Sequence, residues 1–253
     1  MIYTVIADIS EFDAEKFLAT CECEEEYGEI KKGAVAPLPS SNYSAPKLRK
    51  EIFEHINSVS NERLKKERCS AYLLLSLVVR EFLGFMPQVK FTQSGKPYID
   101  SGSGLYFNLS HTTDLVALSI SDEGSVGVDA EGEIAPERAS RLEARFFSEL
   151  SISSRPLDVK YAFCKISEDG RFSLFTEKEE SPTVSKLGGA TLSRVNQGAS
   201  FAARWTLYEA SLKCNGGGFT SLPCLGMIIL ETKVDTVQIK IGCTEFFVTT
   251  SSV

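Results

Sequence analysis

Two carboxylates one residue apart, Asp129 and Glu131, close the apolar run Ser125-Val126-Gly127-Val128-Asp129-Ala130-Glu131. In a strand, successive side chains point to opposite faces, so both acids share one face and Val126, Val128 and Ala130 the other. Acids held side by side repel unless a positive charge lies between them, and a hard divalent cation with oxygen ligands is the usual partner. An edge strand carrying two solvated acids fits the same spacing. A second pair, Glu209 and Lys213, stands one helical turn apart beside the apolar stripe Phe201, Trp205, Tyr208 and Leu212. Alone, a surface ion pair would explain it. In Asn108-Leu109-Ser110-His111-Thr112, small polar groups gather at the end of an apolar run, and His111 is either a structural histidine or a ligand contact.

These groups need elements to hold them. Leu115 to Ser121 and Val126 to Glu131 read as two antiparallel strands joined by the Asp122-Glu123-Gly124 turn, a hairpin that sets the acids at its end. Phe201 to Cys214 reads as a helix stopped by Asn215-Gly216-Gly217-Gly218. Ser60 or Asn61 caps a long helix to about Phe82 with Gly84 at its end; its first half, Glu62 to Arg68, is basic and exposed, and Tyr72 to Val79 forms the core. Met1 to Asp8 reads as a first strand, Asp13 to Ala19 and Lys47 to Ile56 as short helices, and Glu22 to Glu29 as an exposed acidic loop. Lys90 to Ile99 is a strand pair around a Gly-Lys-Pro turn, with the connection Ser101 to Gly104 after it. Pro136 opens a helix through Phe147. From Ser151 to Gly198 the pattern weakens, apart from a hairpin around Glu168-Asp169-Gly170. Three strands, Met227 to Glu231, Val237 to Ile241 and Phe246 to Thr249, close the chain.

Composition narrows the function classes. At 253 residues with 43% hydrophobic and 24% charged content, the chain is long and apolar enough to bury a large core. The net charge of −7 argues against nucleic acid bound through the whole surface, although Lys47 to Lys50 and Lys65-Lys66 form local basic clusters. The 7 cysteines are dispersed, which favours reduced thiols and a cytoplasmic setting over a disulfide framework or a zinc site. No apolar run approaches the roughly 20 residues of a membrane helix. The first residues lack a basic n-region, so a strand is expected there instead of a signal peptide.

In combination and in order, Gly95-Lys96-Pro97, Phe107-Asn108-Leu109-Ser110-His111, Val126-Gly127-Val128-Asp129-Ala130-Glu131, Phe146-Phe147-Ser148-Glu149 and Trp205-x-x-x-Glu209-Ala210-x-x-Lys213 resemble the 4′-phosphopantetheinyl transferase superfamily, of the long type that activates peptide and polyketide synthetases. The resemblance implies an α+β fold: a pseudo-dimer of two similar halves, each a small, mostly antiparallel sheet on a long helix. The halves would be 1–113, on the nucleotide side of coenzyme A, and 114–253, carrying the acids and the catalytic helix. It implies a monomer that moves phosphopantetheine from coenzyme A to a serine of an apo acyl or peptidyl carrier protein, releasing adenosine 3′,5′-bisphosphate. Asp129, Glu131 and Glu209 would hold Mg²⁺, Glu209 and Lys213 would be catalytic, and Lys96, Ser110, His111 and Arg68 would contact coenzyme A.

Some positions depart from the family pattern. Tyr208 stands where a lysine usually precedes the helix glutamate, and Ala71 falls where an arginine contacts the nucleotide 3′-phosphate, which leaves Arg68 or Lys66 to substitute. Those departures keep open an alternative: a degenerate paralogue that binds coenzyme A or a nucleotide without catalysis. A Mg²⁺-dependent phosphohydrolase would use the same acids but leave the other motifs unexplained.

Overall fold

An apolar strand buried on both faces needs a layer on each side. The first strand, Ile2–Asp8, is buried along its whole length and has both. The computed structural model describes residues 1–24, 35, 38–92, 96–99, 104–147, 150–176, 184–195, 200–216 and 228–253. In chain order the elements are β1 Ile2–Asp8, α1 Ala14–Thr20, β2 Cys23–Glu24, β3 Ser41–Tyr43, β4 Leu48–Arg49, α2 Lys50–Asn57, α3 Glu62–Leu83, β5 Val89–Phe91, β6 Pro97–Ile99, β7 Tyr106–Thr112, β8 Leu115–Ser121 and β9 Val126–Gly132. Then come α4 Pro136–Leu142 with a π-helical turn at Glu143–Phe147, β10 Leu150–Pro156, β11 Val159–Ile166, β12 Phe172–Thr176, β13 Val184–Leu187, β14 Ala190–Arg194, α5 Phe201–Cys214, β15 Ile228–Ile241 and β16 Thr244–Ser252.

The α+β class expected from the sequence is observed, as two main sheets. The first runs β3-β12-β11-β1-β8-β7 and the second β13-β14-β15-β16-β9, with β10 beside β15. Side-chain alternation sorts the layers. Tyr3, Val5 and Ala7 of β1 and Val116, Leu118 and Ile120 of β8 pack with Leu73, Leu74 and Val78 of α3. The intervening residues Ile2, Ile6, Leu115 and Ala117 turn the other way and meet Val126, Val128, Ala130 and Val248 of the second sheet. On that sheet's outer face Phe247 packs against Ala202, Ala203 and Trp205 of α5. The order is therefore helix, sheet, sheet, helix. In the seam between sheets the Thr4 hydroxyl pairs with Ser119 at 2.7 Å and Thr250 at 2.9 Å.

Both long helices start and stop for local reasons. Asn61 caps α3 by accepting from the Leu64 N–H at 2.9 Å, and Gly84 ends it at φ 80°, a left-handed conformation that suits glycine. Ser200 caps α5 by accepting from the Ala203 N–H at 3.1 Å.

Several expectations from sequence are corrected. Leu115–Ser121 and Val126–Glu131 do not pair as a hairpin: β8 lies between β1 and β7, and β9 lies beside β16. All of β8 is buried, so it needs a neighbour on each edge and a layer on each face, which a hairpin partner alone does not supply. The turn at Asp122 to Ser125 carries the chain from one sheet to the other. Strands β8, β11 and β12 complete the first sheet with β1, β3 and β7.

The hairpin around Asp169 forms, with Cys164 opposite Leu174, and its strand β11 also pairs in parallel with β1. The segment with the weakest sequence pattern thus supplies a central strand. Met227 lies outside the described residues, and Glu231 and Val237 to Ile241 belong to one strand, β15, whose polar run Glu231-Thr232-Lys233 hides its continuity. Leu48 and Arg49 pair with Cys23 and Glu24 as a short strand before α2 begins. Glu67, expected on an exposed face, is 5% exposed. Most of the acidic 22–29 segment, Gly95, the 101–103 connection, Ser148, Glu149, and Gly217 and Gly218 lie outside the described residues.

The second sheet and α5 meet closely because β9 carries a glycine. A Cβ on Gly127 would stand 2.0 Å from the Ala210 carbonyl oxygen and 2.7 Å from the Cys214 nitrogen. Ser251 donates to that same Ala210 carbonyl at 2.7 Å, and Ser125 to the Cys214 carbonyl at 2.6 Å, so the helix has no room to shift. Gly127→Ala is expected to destabilise the fold by about 1–3 kcal/mol, read as a lower urea midpoint. An unchanged midpoint would show that β9 and α5 do not need this approach.

Candidate active site

A strand at the edge of a sheet has backbone donors with no strand to take them. The outer edge of β9 solves this with side chains from β7, the edge of the other sheet. Asn108 Oδ1 accepts from the Val128 N–H at 3.2 Å, and Ser110 Oγ from the Ala130 N–H at 3.2 Å. Asn108 and Ser110 are two residues apart on one face of β7, matching Val128 and Ala130 two residues apart on β9. This seam places Asp129 against Ser110.

Asp129 is 5% exposed, and its Oδ1 accepts from Ser110 Oγ at 2.9 Å and from Lys213 Nζ at 2.6 Å. Lys213, on α5, also donates to Ser110 Oγ at 3.3 Å and to the Val128 carbonyl at 3.2 Å. Asp129 Oδ2 is buried with no hydrogen-bond partner among the described residues. The helix pair Glu209 and Lys213 is therefore not a surface ion pair. Lys213 reaches across to β9, and Glu209, one turn earlier, lies within electrostatic reach of Asp129 and Glu131.

The acids disturb one another. Burial, then the Asp129 charge and more weakly Glu131, push the Glu209 carboxyl up to about 7, with Lys213 opposing. Burial and Asp129 raise Glu131 as well, against Arg138, Lys213 and a hydrogen bond from Trp205. The cations show the converse. Lys96 Nζ donates to the Lys213 carbonyl at 3.3 Å, and burial, assisted by the Lys213 charge, lowers its pKa against an opposing pull from Cys214. Burial also lowers that of His111, with Lys213 and Arg68 adding to it and Glu67 and Asp129 opposing. Asp129, Glu131, Glu209, Lys213, Lys96, Ser110, His111 and Arg68 thus lie in one electrostatic network drawn from β9, α5, β7, α3 and the start of β6.

Ser110 and His111 are neighbours on β7 and so leave it on opposite faces. Ser110 joins Asp129, whereas His111 Nδ1 lies 3.0 Å from Glu67 Oε2 on α3. Arg68 Nη1 is 3.4 Å from Nε2 of His55, whose ring stacks on Phe91 at 4.3 Å. Lys66 Nζ instead donates to the Ser10 carbonyl at 3.2 Å. Ala71 sits in the core, 3% exposed. Tyr208 lies flat on Phe147, with ring centroids 4.3 Å apart, inside a cluster with Phe201 and Trp205. Sequence reasoning missed Glu67 and the seam role of Asn108. The i,i+4 spacing of Arg63 and Glu67 was a signal for the first, and the i,i+2 spacing of Asn108 and Ser110 for the second.

Among the described residues, no three His, Cys, Asp or Glu side chains come close enough together to hold an ion by themselves. Mg²⁺ does not require that: it takes one or two carboxylates and completes its octahedron with water and ligand oxygens. The buried, unpartnered Asp129 Oδ2 and the raised Glu131 and Glu209 carboxyls are what such a cation would relieve, so the donor set fits it.

No family model matches the chain. Over 64 residues it is 39% identical to the 4′-phosphopantetheinyl transferase AcpT of Salmonella typhi, a stretch that covers 25% of this chain and 33% of that protein. Over 104 residues it is 32% identical to the protein of the same name from Escherichia coli O157:H7, covering 41% of this chain and 45% of that one. These relatives support the 4′-phosphopantetheinyl transferase superfamily. The chain spans less than half the length of either relative in these matches. Among the described residues, no helix is long and apolar enough to cross a membrane.

The raised Glu209 carboxyl has a measurable consequence. Unfolded, the group releases its proton near 4.5, and folded near 7, so between those values the native state holds more protons and stability falls as pH rises. Glu209→Gln removes that loss. With a chelator present, the variant should match wild type near pH 4 and exceed it above pH 7 by on the order of 1 kcal/mol, after allowance for solvent screening. Thermal melts at the two pH values measure this, and equal melting temperatures at both would mean that Glu209 ionises freely.

Proposed function

We propose that the protein transfers the 4′-phosphopantetheine group of coenzyme A to a serine hydroxyl of an apo acyl or peptidyl carrier protein, with Mg²⁺, releasing adenosine 3′,5′-bisphosphate. The observation that carries this reading is Asp129: one oxygen is fixed by Ser110 and Lys213, the other is buried and unpartnered, and Glu131 and Glu209 stand beside it. Charge neutralisation and alignment dominate the requirements of phosphoryl transfer, and the site supplies acids and cations side by side.

In this reading the serine oxygen forms a bond to the β-phosphorus of the coenzyme A pyrophosphate as the bond to the bridging oxygen of the nucleotide breaks. Glu209 takes the serine proton, and a cation beside it would keep the carboxylate ionised for that role. Lys213 and Lys96, adjacent through the Lys213 carbonyl, neutralise the pyrophosphate, and Lys213 favours departure of the bisphosphate. His111 and Arg68 hold the phosphate-bearing nucleotide end. Asp129, Glu131 and Glu209 would hold Mg²⁺, with water between the ion and the acids it does not touch, and the ion would supply charge neutralisation at the pyrophosphate. The protein acts as a monomer in the cytoplasm in this reading.

A non-catalytic coenzyme A or nucleotide-binding module is the second reading. Tyr208 on the aromatic stack and Ala71 in the core favour it, because neither supplies the cation the family pattern has there.

Mass spectrometry of an apo carrier incubated with the protein, coenzyme A and Mg²⁺ separates the two. The expected result is a phosphopantetheine mass gain that falls by on the order of 100-fold or more in Asp129→Ala. No gain with several unrelated carriers would sink the transferase reading, and undiminished gain in Asp129→Ala would sink the metal assignment. Hydrolysis of coenzyme A without a carrier would point to a phosphohydrolase.

A further inference from the structure

Glu67 is a buried carboxylate for which the proposed transfer has no task. It lies on the second turn of α3, where the surrounding sequence Glu62 to Arg68 is charged and suited to solvent, yet it is 5% exposed. Taking a carboxylate out of water costs several kcal/mol unless its oxygens are satisfied. Here both are. Arg63 Nε donates to Oε1 at 2.8 Å, and Oε2 lies 3.0 Å from His111 Nδ1. A local choice that opposes the surrounding pattern and is compensated by specific partners marks a functional position more often than a structural one.

The contact has a chemical consequence. A bare Nδ1 lone pair 3.0 Å from a carboxylate oxygen would be repelled by it, so the approach favours a hydrogen on Nδ1 and leaves Nε2, on the far side of the ring, bare in the neutral ring. Lys213, Arg68 and Asp129 act on His111 electrostatically, which sets the ring among the groups assigned to the phosphates. The same logic governs metal-bound histidines, where a carboxylate on one nitrogen fixes both tautomer and ring orientation for the other.

We propose that Glu67 is a positioning residue that holds His111 in the Nδ1–H tautomer and aims Nε2 at the phosphate-bearing end of the ligand, with Arg63 in turn holding Glu67. The tautomer stands on the geometry alone; the identity of the ligand rests on the proposed transfer reading.

Two readouts test this. The chain has 2 histidines, so ¹⁵N-resolved imidazole spectra assign readily once His55→Gln removes one set. Neutral His111 should show a protonated Nδ1 and a bare Nε2 in wild type and in Glu67→Gln, whose amide oxygen still accepts, and should lose that preference in Glu67→Ala. An Nε2–H tautomer in wild type, or no change in Glu67→Ala, overturns the proposal.

Calorimetric binding of adenosine 3′,5′-bisphosphate is the second readout. Glu67→Ala should weaken it by about 10-fold, Glu67→Gln should keep most of it, and Glu67→Ala should cost nothing more in a His111→Ala background. Equal affinity of wild type and Glu67→Ala, or an equal loss with and without His111, overturns the proposal and leaves the transfer reading standing. Wild-type protein that binds no bisphosphate overturns the transfer reading and the assignment of Nε2 to a phosphate, even where the tautomer holds.

Discussion

A carboxylate buried between two sheets and a helix has to be paired, and much of the site's architecture follows from how Asp129 is paired. Its Oδ1 takes a hydroxyl from the edge of one sheet and an ammonium from the helix on the other. The same hydroxyl accepts from the backbone of Ala130, so one serine closes a strand edge and orients an acid. The lysine also meets the Val128 carbonyl, which ties α5 to β9 beyond the charge contact.

The site is built at a cost to the fold. Glu131 and Glu209 are raised, and Lys96 and His111 lowered, each chiefly by burial. Groups that resist ionisation in the free protein are poised to gain from a ligand of opposite charge, since bringing a cation to the acids and an anion to the bases removes the penalty. The aromatic cluster around Tyr208 supports this from outside. Phe147, Phe201 and Trp205 pin the helix face beside Glu209, and the indole of Trp205 bonds Glu131. Packing and electrostatics thus meet on α5.

Much of the local structure was legible. The Asn61 cap, the Gly84 stop, the Phe201–Cys214 helix and the hairpin around Asp169 each follow from a short-range signal. What failed were the pairings. Leu115–Ser121 and Val126–Glu131 are adjacent in sequence with a turn between them, and adjacency favours a hairpin. Yet β8 is apolar on both faces and takes β1 and β7 as neighbours, and β9 crosses to the other sheet. Strand β15 does not read as one element because Glu231-Thr232-Lys233 and Asp235-Thr236 interrupt the apolar pattern, although burial alternates through them, with Thr232, Val234 and Thr236 inside. Periodicity reports which face is buried, and it says little about which strand lies alongside.

By itself, the sequence determined that Asp129 and Glu131 share a face, that Glu209 and Lys213 lie one turn apart, and that Asn108 and Ser110 point the same way, because these follow from the periods of strand and helix. Tertiary structure decided which of them touch. Lys213 bonds Asp129 across two elements instead of pairing with its helix neighbour, Ser110 and His111 part to opposite faces, and Glu67 is drawn out of a solvated run to meet His111. The physical reason is that side-chain direction is a local property of the backbone, whereas the partner of a buried charge depends on how distant segments pack, and Gly127 allows β9 and α5 to approach.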